Sequence, residues 1–140
     1  MLLPRRPVSA QGGPNKKYRE ALAQAASAKM QSGATLGSLY ARIIWFHRQK
    51  TSQDIDNIVK PIFDSLKGIV FKDDFQIAQY LATRIDLNKS FVLSDRDIEA
   101  NTYQDIVEMI ALSYNDILYI EIGQIISQQV VFGPIDGGEL

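Results

Sequence analysis

Between Asp54 and Ile77 the chain reads DIDNIVKPIFDSLKGIVFKDDFQI, and the first half of this stretch leaves little choice of local structure. Ile55, Ile58, Val59, Ile62, Phe63 and Leu66 recur at a spacing of three and four, the period of one helical face. That face belongs on the core. Asp56, Asn57, Lys60, Asp64 and Lys67 gather on the opposite side, because residues three and four apart are neighbours on a helix surface. Pro61 lacks an amide proton and crowds the preceding turn, so the helix is expected to kink or to begin late, near Asn57. Asp56 or Asn57 is then the expected N-cap. Asp54 and Asp56 would lie on an extended approach, where alternate residues point the same way. Gly68 suits the helix C-terminus.

Clustered carboxylates repel unless a cation sits among them. Hard oxygen ligands suit Mg²⁺ or Mn²⁺ and leave room for water and phosphate oxygens. Lys60 adds a charge that can hold a phosphate, and together these groups make a metal-assisted phosphodiester hydrolysis site. The competing reading is a solvated polar helix face with acidic caps.

The same residues resemble the signature of the RusA family of Holliday-junction resolvases. DIDN, Lys60, FDSLKG and FKDDFQI follow that family's pattern without a gap over about 24 residues. More loosely, PVSAQGG followed by KKYREALAQAA is similar to its N-terminal loop and first helix. The resemblance implies that Asp54, Asp56 and Asp74 are metal-binding carboxylates and that Lys60 is the essential lysine. Asn57 and Asp73 would be supporting. It also implies that three aspartates separated along the chain meet in space, and that the N-terminal loop lies near the active centre.

The net charge of −1 is unusual for a nucleic-acid enzyme, but its distribution is uneven. Residues 1–60 hold ten Lys/Arg and three Asp/Glu, a balance of +7, whereas residues 61–140 hold five and thirteen, a balance of −8. A basic half can supply phosphate contacts while the acidic half faces away. Arg5, Arg6, Lys16, Lys17, Arg19, Arg48 and Lys50 are the candidate DNA contacts, against the alternative that they are solvated loop residues. The absence of cysteine excludes disulfides and thiolate zinc sites. No apolar run is long enough to span a membrane, and the apolar start is too short for a signal peptide, so a cytoplasmic protein is the simplest reading.

The remaining chain reads as one domain over residues 1–140. Met1 to Leu3 is a short first strand, and residues 1–17 include a basic loop rich in Pro, Gly and Arg. Tyr18 to Gln31 is an alanine-rich helix. Leu39 to Arg48 is a strand apolar on both faces and hence central. Within it, Trp45 and Phe46 suit the core better than base stacking, and His47 suits an ordinary strand end better than a proton donor. Gln76 to Leu87 is a second long strand. Residues 88–116 form a helical insertion that either covers the sheet or serves dimerisation, with Thr102 and Asp105 as a capping-box-like start. Ile117 to Ile122 is a third strand, Gly123 to Val131 adds another, and 132–140 is a loose tail.

This yields an α+β fold, a small mixed sheet with packed helices, RusA-like and homodimeric. The function implied by the resemblance is Mg²⁺-dependent resolution of four-way DNA junctions by paired nicks, in recombination and repair. A two-fold dimer suits a two-fold junction. Two alternatives stay open: a degenerate branched-DNA-binding protein, and a metal-dependent nuclease acting on flaps or RNA.

Overall fold

The computed structural model describes residues 1–13, 15–94 and 98–126, which contain three helices and four strands. In chain order they are β1 (Leu2–Leu3), α1 (Lys16–Lys29), β2 (Leu39–His47), α2 (Ile55–Leu66), β3 (Ile77–Asp86), α3 (Ala100–Ala111) and β4 (Asp116–Gln124). The strands form one mixed sheet in the order β1-β4-β2-β3. β2 pairs in parallel with β3 and antiparallel with β4, which pairs antiparallel with β1. Parallel neighbours need a crossover, and α2 supplies it between β2 and β3. The fold is α+β.

β2 is apolar on both faces because both are covered. Leu39, Ile43 and Trp45 pack with Leu118 and Ile120 of β4 against Leu22 of α1 and Ile58, Ile62 and Leu66 of α2. Ile44 and Phe46 point the other way, into a second core with Ile117, Tyr119 and Ile106 of α3. Trp45 and Phe46 are fully buried, as core residues should be. α3 therefore covers the sheet face that α1 and α2 leave open.

Several boundaries differ from the sequence reading, each for a local reason. α2 begins at Ile55, with Asp54 as N-cap, so Asp56 lies in the first helical turn and not on an extended approach. Pro61 sits inside the helix, where its ring is buried and its carbonyl accepts a 2.6 Å bond from Ser65 Oγ. The apolar face of α2 outweighs the one backbone bond that the proline removes. Thr102 lies within α3, whose N-cap is Glu99 with no side-chain cap bond. A full capping box occurs instead at Asp73 and Gln76, around the 3₁₀ turn Asp74–Gln76 that leads into β3. Gly68 follows α2 with φ +85°, a conformation that any side chain would strain, and its amide donates to the Phe71 carbonyl at 2.7 Å. Gly123 and Gln124 belong to β4 and do not begin a separate strand, while residues 127–131 of that expected strand and the tail expected at 132–140 lie outside the described residues. No helix among the described residues is long and apolar enough to cross a membrane.

Candidate active site

The chain leaves β2 at His47 and reaches α2 through residues 48–53, a polar link pinned from several sides. Arg84 Nη1 of β3 donates to the Gln53 carbonyl at 2.5 Å, and Gln53 Nε2 donates to the Pro7 carbonyl at 3.3 Å. Arg48, a candidate DNA contact, donates instead to the carbonyls of Tyr114 (2.9 Å) and Ile110 (2.5 Å) at the C-terminal end of α3. The pinned link fixes where Asp54 enters the helix.

Asp54 caps α2 by backbone position only; its side chain makes no cap bond. Its carboxylate is thus not consumed by the helix amides that an N-cap aspartate ordinarily satisfies. Asp56 follows in the first turn, where the helix dipole favours negative charge. Both are exposed and line an open depression of about 540 Å³ with Ala82, Thr83 and Arg84 of β3.

One turn further along α2, Lys60 Nζ lies 3.4 Å from Asp64 Oδ1, and Arg19 Nη2 lies 3.6 Å from Asp64 Oδ2. Asp64 thus holds cations from two helices. Lys60 and Asp64 share a cleft of about 250 Å³ with Val8, Ser9 and Gly13, which brings the N-terminal loop against the lysine.

Asp74 lies elsewhere. Its Oδ2 is 3.9 Å from Lys67 Nζ, at the C-terminal end of α2. The helix alone separates the two ends by about 18 Å, at 1.5 Å per residue over its twelve residues. Among the described residues, no three histidines or carboxylates gather in a group that could hold a metal ion. The expected meeting of Asp74 with Asp54 and Asp56 does not occur within one chain. The cause is topological. β2 and β3 are parallel, so the connection out of β2 and the entry to β3 lie at opposite ends of the sheet. Asp73 is engaged in the turn itself, accepting from Phe75 N at 2.9 Å.

The other candidate cations differ in what they touch. Arg6 lies over the Trp45 ring, 5.5 Å from its centroid, and Lys16 pairs loosely with Glu20 at 3.8 Å. Arg5, Lys17 and Lys50 are exposed, and Asn57 is partly exposed in the first turn of α2. His47 is buried; its Nδ1 lies 2.9 Å from the Gln49 carbonyl, which can only accept, so that nitrogen carries the proton. Arg84 lines the carboxylate depression, a placement that was not legible in the sequence. A cation on an alternating strand reads as solvent-facing, and only the pairing of β3 beside β2 brings Arg84 under the Gln53 carbonyl.

The family model described as endodeoxyribonuclease RusA matches residues 7–92, from the N-terminal loop through β3. The chain belongs to the RusA family. RusA proteins are nucleases that act on Holliday junctions, bind branched DNA and generally depend on a divalent metal. The matched span contains Asp54, Asp56, Lys60 and Asp74 but neither α3 nor β4, so the helix covering the second sheet face lies outside the RusA match. No curated protein matches the chain closely enough to count as a relative. The donor set of this RusA protein fits a hard divalent cation: two exposed carboxylates in one open depression, with no soft ligand beside them.

Proposed function

We propose that this RusA protein is a Mg²⁺-dependent endonuclease, with Mn²⁺ as a substitute, that resolves four-way DNA junctions by paired nicks in recombination and repair. The observation that carries the reading is Asp54: an N-cap aspartate whose carboxylate does not cap, set beside Asp56 in an open depression.

Asp54 and Asp56 would hold the cation, and Asp74 of the partner subunit would complete the set. β3 supports that arrangement. It is ten residues long, it is the last strand of the sheet, and its outer edge has no partner among the described residues. Tyr80 and Leu81 expose apolar surface along it, and Phe75 just before it is 93% exposed. Long apolar edge strands recruit another strand. Two-fold antiparallel pairing of β3 with its copy would carry Asp74 of the partner subunit toward the C-terminal end of β3, where Asp54 and Asp56 sit. The two sites so formed would suit two symmetric strands of a junction.

When bound, the cation supplies Lewis acidity to a water and to the scissile phosphate. Lys60 stabilises the negative charge that grows on the phosphate oxygens. Asp64 orients Lys60, and Asn57 and Asp73 support the carboxylates from α2 and from the turn before β3.

The test is nicking of end-labelled four-way junction by purified protein with Mg²⁺, with and without chelator, beside flap, duplex and RNA substrates. Symmetric, chelator-sensitive nicks confined to the junction are expected. A second reading, junction binding without cleavage, is favoured by the separation of Asp74 from Asp54 and Asp56 within one chain. Chelator-insensitive binding with no nicks would establish it instead.

A further inference from the structure

Next to the carboxylate depression lies a larger cleft of about 710 Å³, lined by His47, Lys50, Arg84, Asp86, Lys89 and Phe91. Arg84 is common to both, forming part of the wall between them. We propose that this cleft is a phosphate subsite that holds the DNA backbone beside the scissile bond. The proposal rests on the nuclease reading above and deepens it.

The charge in the cleft favours an anion. Lys50, Arg84 and Lys89 bring three basic side chains to the cleft, and Asp86 is the single acid. Asp86 is already occupied, because its Oδ1 accepts from Asn88 N and from Asn88 Nδ2, both at 2.9 Å. These bonds hold its carboxyl below the usual carboxylate range, with His47 and Lys89 adding to the effect. Lys50 and Lys89 make no ion pair with any described carboxylate, and both are exposed. Arg84 uses one nitrogen on the Gln53 carbonyl, and a guanidinium has five N–H donors, so it retains capacity for a phosphate oxygen. The ring of His47 is anchored by its Nδ1, which leaves Nε2 free of that bond.

Placement selects a phosphodiester over a small anion. The cleft is open and too large for one phosphate, and it shares Arg84 with the depression where the cut is proposed. A backbone passing Asp54 and Asp56 would meet Arg84 first, then the two lysines. The role expected of Arg48, now spent on α3, falls to Arg84 and Lys89.

Binding of a fluorescent four-way junction is measured by anisotropy across a salt series, with cleavage of the same junction followed in Mg²⁺. The double variant Lys50→Ala/Lys89→Ala is compared with wild type and with the charge-matched control Lys29→Ala/Lys72→Ala. Loss of two phosphate contacts lowers the slope of log affinity against log salt by roughly 2. The expected result is that reduction with at least a tenfold weaker affinity, and a smaller change in the control. An unchanged slope and affinity, or an equal loss in the control, would overturn the subsite while leaving nuclease activity standing. A wild-type protein that neither binds nor cuts the junction would overturn both readings.

Discussion

Arg84 Nη1 lies 2.5 Å from the carbonyl oxygen of Gln53, the residue immediately before Asp54. A strand residue thereby fixes the backbone from which a site carboxylate projects. The bond is solvent-exposed, so its contribution to stability is about 1 kcal/mol or less. Its contribution to activity is expected to be larger, because misplacing a catalytic group by about 1 Å costs on the order of 10²-fold. Arg84→Ala should therefore lower the single-turnover nicking rate at least tenfold while shifting the urea midpoint little. Equal rates for variant and wild type would show that Asp54 needs no such support.

Lys60 carries a different expectation. Its pair with Asp64 spans one helical turn, and the lysine is 72% exposed, so removing it changes stability by no more than about 0.5 kcal/mol. Loss of a charge-stabilising donor in a transition state costs on the order of 10²–10³ in rate. Lys60→Ala should fold normally by circular dichroism and cut slowly. Asp64→Asn should show a milder defect, since Arg19 and Lys60 lose their shared partner but keep their charges. A Lys60→Ala rate matching wild type removes the lysine from the chemistry.

α3 covers one sheet face through Ile106, which is fully buried with Ile44, Phe46, Ile117 and Tyr119. Truncating a buried isoleucine costs about 2–5 kcal/mol. Ile106→Ala should lower unfolding free energy by that amount in denaturant titration. A loss under about 0.5 kcal/mol would mean that the helix does not close the second core.

The edge of β3 is the expected dimer contact. Leu81 is 58% exposed, so Leu81→Lys should leave the monomer folded yet place like charges across a two-fold contact. Sedimentation should report a monomer in place of a dimer, with nicking lost at the same time. A variant that remains dimeric and active places the contact elsewhere.

Much of this fold was written in short-range patterns. The three-and-four spacing from Ile55 to Leu66 gave α2, and the two-sided apolar run from Leu39 gave the central strand. Gly68 was legible because only a residue without a side chain adopts its φ of +85° easily. The start of α2 is not legible because Pro61 reads as a breaker, whereas burial of the ring on the packed face keeps it in the helix. The site was legible in its residue types and not in its assembly. Nothing local to FKDDFQI says that β3 runs parallel to β2, and that pairing alone puts Asp74 at the wrong end of its own α2. For the same reason Arg84 could not be tied to Gln53, 31 residues away in sequence.

The central claim, that each site draws Asp54 and Asp56 from one subunit and Asp74 from the other, is tested most directly by subunit mixing. Asp54→Asn and Asp74→Asn proteins are purified separately, unfolded together in equal amounts, refolded and assayed for junction nicking. Each parent should be inactive. Half of the refolded dimers should be mixed, each with one intact site, so nicking should return to about a quarter of the wild-type rate. A mixture as inactive as its parents would contradict the shared site, because carboxylates that work within one chain leave no intact site in any pairing.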